Sequence, residues 1–270
     1  MKKISTGHAL IFDSGVGGLS VVTEIIKLNP NLRLTYIADD NFRPYGEKTE
    51  FQLKNRLPRL LWELTETFKP DLAVIACNTA STTALEEIRG VLSIPVIGVV
   101  PAIKPAATLS RTKTIAVLGT PGTVKRRYVD ELINEHASDC RFILQGSVNL
   151  VDIAEKKMIG EKINKEWIKT EITPMFSGQY GADIDAVVLA CTHFPLLLEE
   201  LKSSVNQTVS WIDSGDAVAR RVLSIIQTLN LKPKKFETNK VFLIGPNACS
   251  NRFKAFKSYG FEKVIGLLLD

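Results

Sequence analysis

Residues 186–195 read AVVLACTHFP. The run Ala186 to Ala190 is apolar without alternation, the pattern of a short strand buried on both faces of a parallel sheet. It ends abruptly in Cys191, Thr192 and His193, with Pro195 following. Residues 71–81, DLAVIACNTAS, repeat the device: an apolar strand ends in Cys77, Asn78 and Thr79. The shared pattern is Asp-x-(Ala/Val)-Val-(Ile/Leu)-Ala-Cys. Two equivalent strands, each delivering a thiol to its carboxyl end, predict two similar α/β units.

Short β-branched runs alternate with helical patterns along the rest of the chain. Strands are expected at 9–13, 33–38, 72–76, 95–99, 114–119, 141–145, 186–190, 209–213 and 241–245. Helices are expected at 18–28, 50–68, 80–90, 122–136, 149–158, 161–175, 196–204, 215–229 and 250–258. Pro58 predicts a kink or two shorter helices within 50–68. The alternation argues for mainly parallel sheets with helices on both faces. VVPAIKPAA (99–107) reads as a crossing into a second unit and WIDSGDAVARR (211–221) as the crossing back. The expected fold is therefore α/β with two pseudo-symmetric domains, 1–99 plus 212–270 and 100–211. In open parallel sheets, ligands bind outside the carboxyl ends of the strands. If the two domains face each other, one cleft receives both thiols.

Composition sets bounds on this reading. The chain has 270 residues, 45% hydrophobic and 23% charged, with a net charge of +5. These are values of an ordinary globular protein. No apolar run approaches the roughly 20 residues of a membrane helix, and the start MKKISTGHALIFDSG lacks the long apolar core of a signal peptide. A cytoplasmic protein without membrane attachment is expected. The one dense basic cluster, LKPKKFE (231–237), has no aromatic-rich companion motif, so it reads as a solvated loop and not as a nucleic-acid footprint. There are four cysteines, at 77, 140, 191 and 249. No Cys-x-x-Cys pair suggests zinc, and no disulfide framework is expected. Cys140 and Cys249 read as small buried hydrophobes.

The chemistry gathers at four places. FDSGVGGLS (12–20) is a strand, a glycine-rich turn and a helix start, able to present N–H groups to a phosphate or a carboxylate. Its spacing does not match Gly-x-Gly-x-x-Gly, and no Gly-Lys-Ser/Thr follows, which argues against a nucleotide. ADDNFRPYGEKT (38–49) is a polar loop after a strand, where binding groups often lie. Each cysteine precedes a helix start, where a thiol is expected to ionise more easily. Asn78, Thr79, Ser81 and Thr192 can donate hydrogen bonds, and His193 can exchange a proton with Cys191 or with a substrate. Two thiols on opposite walls of one cleft suit a two-base device, one removing a proton from carbon while the other supplies one to the opposite face. A non-catalytic amino-acid-binding protein shares the two-lobed architecture, but simple binding needs no thiols.

FDSGVGG, PYG, ACNTAS, LACTHFPLL and DSGDAVA, in this order across nearly the whole chain, resemble the glutamate racemases of the cofactor-independent aspartate/glutamate racemase superfamily. The Pro-Tyr-Gly and Cys-Thr-His forms are more similar to the glutamate branch than to the aspartate branch. The resemblance implies interconversion of L- and D-glutamate for peptidoglycan, with no cofactor and no metal, and homodimers are common among such proteins. An aspartate or other amino-acid racemase of the superfamily is the alternative. By position, the resemblance implies Cys77 and Cys191 as catalytic bases, Asp13 tuning Cys77 and His193 assisting Cys191. It places Asp13, Ser14, Tyr45, Gly46, Asn78, Thr79, Thr192 and His193 at the substrate, and makes Asp39 the aspartate that opens the Pro-Tyr-Gly loop. A glutamate often found in the second domain of the family is matched here by Asp152, shorter by one methylene.

Overall fold

The computed structural model describes residues 7–234, 238–245 and 253–268. Along the chain lie β1 (His8–Asp13), α1 (Leu19–Leu28), β2 (Arg33–Ala38), α2 (Glu50–Phe68), β3 (Leu72–Ile75), α3 (Asn78–Val91), β4 (Val96–Gly98) and α4 (Ile103–Leu109). Then follow β5 (Thr114–Gly119), α5 (Pro121–Val124), α6 (Arg127–His136), β6 (Arg141–Gly146), α7 (Asn149–Met158), α8 (Lys165–Ser177), β7 (Ala186–Ala190), α9 (Leu198–Ser203), β8 (Ser210–Ile212), α10 (Gly215–Thr228), β9 (Asn239–Ile244), α11 (Phe253–Lys257) and β10 (Phe261–Leu267).

The strands form two sheets, β10-β9-β2-β1-β3-β4 and β6-β5-β7-β8. Every pairing is parallel. The chain leaves the six-stranded sheet after β4 and returns after β8. Ser214 Oγ donates to Val100 O where the two crossings meet.

Side chains alternate across the pleat, which explains why β1 can be apolar throughout. Ala9 and Ile11 pack with α1 and α10 on one face, while Leu10 and Phe12 pack with α2 and α3 on the other. The four-stranded sheet is covered in the same way, by α7 and α8 on one face and α4 on the other. Parallel strands all point their carboxyl ends toward one edge of the sheet, so the loops after β1, β3, β5 and β7 are the ones that build a site.

Several expected elements differ. α2 runs as one helix through Pro58, started by a reciprocal Thr49–Gln52 capping box. The 122–136 helix is broken: Arg126 is extended, and Thr120 caps a separate short turn by accepting from Thr123 N. A 3-10 turn at Phe194–Leu197 precedes α9. β10 was not expected, because an edge strand carrying Glu262, Lys263 and Gly266 lacks the apolar run that marks the buried strands. Cys140 is not buried: it is half-exposed in the bend before β6, with its Sγ 3.5 Å from Asp139 Oδ1. Cys249 and part of the 231–237 cluster lie outside the described residues. Among the described residues, no helix is long and apolar enough to cross a membrane.

Ile11 is fully buried in the central strand of the larger sheet. Ile11→Ala should cost about 2–5 kcal/mol, read as a lower midpoint in denaturant with an unchanged slope.

Candidate active site

Each sheet sends one cysteine to the same cavity. β3 ends at Ile75, Ala76 N donates to Phe12 O, and Cys77 follows in extended conformation as the residue capping α3. β7 ends at Ala190, and Cys191 O accepts from Phe194 N to start the 3-10 turn. Both thiols are buried, and both line one small cavity of about 20 Å³. Ser14, Tyr45, Gly46, Asn78 and Thr79 come to that cavity from the six-stranded half, and Thr192 and His193 from the four-stranded half. The sequence placed these residues in one cleft, and the geometry brings them together.

Asp13 sits behind the wall, fully buried. Its Oδ2 accepts from Gly18 N at 2.9 Å, Gly15 N at 3.3 Å and Tyr36 Oη at 3.4 Å. Its Oδ1 is buried with no hydrogen-bond partner among the described residues, as is Asn78 Nδ2. Burial raises the Asp13 carboxyl, against the opposing pull of His193 and of the Gly18 and Ser14 N–H groups.

The two thiols have different surroundings. Burial pushes Cys77 well above the usual thiol range, and the Asp13 charge adds to it; the Ala80 and Thr79 N–H groups pull the other way and lose. The helix-start position therefore does not leave Cys77 more acidic, contrary to the expectation from its position alone. Cys191 instead faces His193, with Sγ 3.9 Å from Nδ1. His193 Nε2 lies 2.9 Å from Glu155 Oε1. Burial alone would lower His193, but its bonds to Cys191 and Glu155 outweigh that and hold it well above its ordinary value.

Glu155 is the residue that the sequence reading missed. It is buried, and its Oε1 also accepts from Val16 N of the glycine-rich turn at 3.0 Å, bridging the two halves. Asp152, expected in this place, is more than half exposed, with its Oδ1 3.8 Å from Arg43 Nη1. Helical geometry explains the exchange: Val148 and Val151 line the cavity, and Glu155 continues that stripe at i+4 from Val151, whereas Asp152 is turned outward.

Two hydroxyls were also missed. Thr79, Thr120 and Thr123 form a closed buried triangle with Oγ1–Oγ1 distances of 3.0, 3.1 and 3.0 Å, spanning the two halves beside the cavity. The signal was present, since Thr120 follows β5 just as Cys77 follows β3. Asp39 is buried and accepts from Tyr45 Oη at 2.6 Å, while its neighbour Asp40 pairs with Arg43 at 3.1 Å. Among the described residues, no cluster of three or more His, Cys, Asp or Glu side chains could hold a metal.

A model of the Asp/Glu/hydantoin racemase family matches residues 27–222. The chain is 43% identical over 259 residues to a glutamate racemase of Pasteurella multocida, covering 96% of this chain and 95% of that one. It is 43% identical over 261 residues to a glutamate racemase of Klebsiella pneumoniae, covering 96% and 92%. The structure matches Escherichia coli glutamate racemase, solved with L-glutamate and the activator UDP-MurNAc-Ala, with a TM-score of 0.90 and 39% identity over 97% and 98% of the two chains. A Bacillus anthracis glutamate racemase isoform matches with a TM-score of 0.81 and 26% identity over 98% and 97%. The chain belongs to the Asp/Glu/hydantoin racemase family.

Proposed function

We propose that this protein is a glutamate racemase, moving protons at the α-carbon between Cys77 and Cys191 and so supplying D-glutamate for peptidoglycan. The observation that carries this reading is the convergence of two thiols, one from each sheet, on one small cavity. Binding alone requires neither thiol. The two units are taken as residues 1–99 with 212–270, and residues 100–211.

The α-proton of an amino acid is a very weak acid, so the site has to stabilise negative charge as it grows on the carboxylate. Among the described residues, Asn78 Nδ2 is a buried donor with no partner and Asp13 Oδ1 is a buried acceptor in the same condition. Buried polar atoms ordinarily find partners. An α-carboxylate and an α-ammonium are partners of the right sign. Ser14 and Thr192 add donors on either side. The Thr79, Thr120 and Thr123 hydroxyls, together with the Tyr45–Gly46 wall, suit the side-chain carboxylate.

Cys191, Glu155 and His193 work as a relay. Glu155 accepts from Nε2, which leaves Nδ1 facing the Cys191 sulfur. The imidazole then takes the thiol proton or stabilises the thiolate. Cys77, pushed up by burial and Asp13, rests as the protonated partner. In this state Cys191 takes the proton from L-glutamate while Cys77 delivers one to the opposite face. In the reverse direction Cys77 takes the proton from D-glutamate. The cavity of about 20 Å³ has room for about one water and not for an amino acid, so the two halves part to admit substrate and close over it. We also take the protein to be cytoplasmic and able to form a homodimer.

Incubation with L-glutamate in heavy water tests the activity. Loss of the α-proton signal and of optical activity should proceed together, and aspartate should turn over poorly. A shorter side chain leaves the site's polar groups unpaired, which costs far more than one apolar contact. Comparable rates for the two acids would contradict the assignment of substrate.

A second test separates the two carboxylates on α7. Glu155→Gln should lower kcat/KM by about 10²-fold or more, as expected when the partner of a catalytic imidazole loses its charge. Asp152→Asn should change it by less than about fivefold, the order expected for an exposed ion pair. The reverse ranking would return Asp152 to the role that the family resemblance implied.

A further inference from the structure

The Tyr45–Gly46 wall of the cavity lies on a loop, and a loop needs something rigid to set its position. Asp39, fully buried behind that wall, supplies the link. Arg56 of α2 grips it with two bonds, Nε to Oδ2 and Nη2 to Oδ1, both 2.7 Å. Tyr45 Oη donates to the same Oδ2 at 2.6 Å, and Asp39 N donates to Asp13 O at 2.9 Å. The Arg56 guanidinium also lies over the Phe42 ring, 4.9 Å from its centre, and Phe42 meets Tyr45 edge-on.

Two consequences follow. The Tyr45 hydroxyl is committed to Asp39, so its ring, and not its oxygen, serves the cavity. The position of Gly46 is then inherited from α2 through Arg56, Asp39 and Tyr45. That position has little tolerance: a β-carbon on Gly46 would lie 2.7 Å from Thr120 Cβ of the other half, and one on Gly122 would lie 2.9 Å from Gly46 O. A displaced loop would therefore disturb the hydroxyl triangle as well as the wall.

We infer that Arg56 is a positioning residue: through its two-pronged grip on buried Asp39 it sets the Tyr45–Gly46 wall, and with it the fit of the substrate's side-chain carboxylate. This rests on the reading that the cavity takes glutamate. Arg56 does not line the cavity that holds the two thiols. It is partly exposed on the far side of the loop, in a surface groove with Phe51 and Asn55. A buried carboxylate that loses its cation is strongly disfavoured, whereas replacing both partners by neutral groups removes that penalty. Lysine keeps the charge but not the planar fork.

The test is steady-state racemisation of both enantiomers. Arg56→Met should raise KM for L- and D-glutamate by about 10- to 50-fold while kcat changes by less than about threefold, since the thiols stand on other elements. Arg56→Lys should fall between Arg56→Met and the wild type. The double variant Asp39→Asn/Arg56→Met, in which no unpaired charge is buried and an amide still accepts from Tyr45, should recover KM to within about fivefold of the wild type. If Arg56→Met does not fold, the double variant and Arg56→Lys carry the same comparison. The clamp is overturned by a wild-type KM in Arg56→Met, by a loss confined to kcat, or by a double variant no better than the single one. Absence of racemisation in the wild-type protein would instead overturn the functional reading itself.

Discussion

A β-carbon on Gly15 would lie 2.0 Å from Glu155 Oε1, and one on Gly17 would lie 2.3 Å from His193 Nδ1. This close approach of two parallel sheets, edge to edge across a glycine-rich turn, is the constraint on which the site depends. Only a backbone without side chains lets the Glu155 carboxylate reach Val16 N and His193 together. Both thiols are buried beside this contact. It also couples the two halves, because the group that orients the histidine on one half is anchored on the turn of the other. Ser20 Oγ adds a second link at 2.8 Å to Thr192 O.

Dry surroundings account for the asymmetry between the thiols. Burial disfavours a thiolate wherever no positive group answers it, and Cys77 has a carboxylate nearby instead. Cys191 has an imidazole, which its bonds to Cys191 and Glu155 hold well above its ordinary value against its own burial. Two cysteines that look equivalent in sequence thus have different neighbours, a carboxylate near Cys77 and an imidazole beside Cys191. A reaction that removes a proton from one face and adds one to the other needs that arrangement, and the assignment of acid and base follows from environment and not from residue type.

Much of this was legible in the sequence, for identifiable reasons. β5 and β7 fall on the expected residues because strands buried on both faces show as near-continuous apolar runs. The convergence of Cys77 and Cys191 follows from one topological rule about parallel strands. The failures are equally physical. Asp152 was named because the family resemblance implied it, whereas the contact of Glu155 with His193 depends on the stripe through Val148, Val151 and Glu155, which no motif marks. Thr123 was hidden inside a supposed single helix, whose break at Arg126 has no glycine or proline to mark it, and Thr120 lies just before that helix, at the end of β5. β10 is an edge strand with a half-exposed pattern. The direction of the Cys77 shift was misread because a helix start is visible in sequence, whereas the burial and the nearby carboxylate that outweigh it are not.

The central claim is that each thiol serves one enantiomer. Its most direct test is exchange of the α-proton into heavy water by Cys77→Ala and Cys191→Ala, measured separately on L- and D-glutamate. Both folded variants should lose net racemisation by several powers of ten, of the order seen when one member of a catalytic unit is removed. Residual exchange should be confined to L-glutamate in Cys77→Ala and to D-glutamate in Cys191→Ala. Near-normal racemisation by either folded variant, or exchange with the opposite enantiomer preference, would contradict the account.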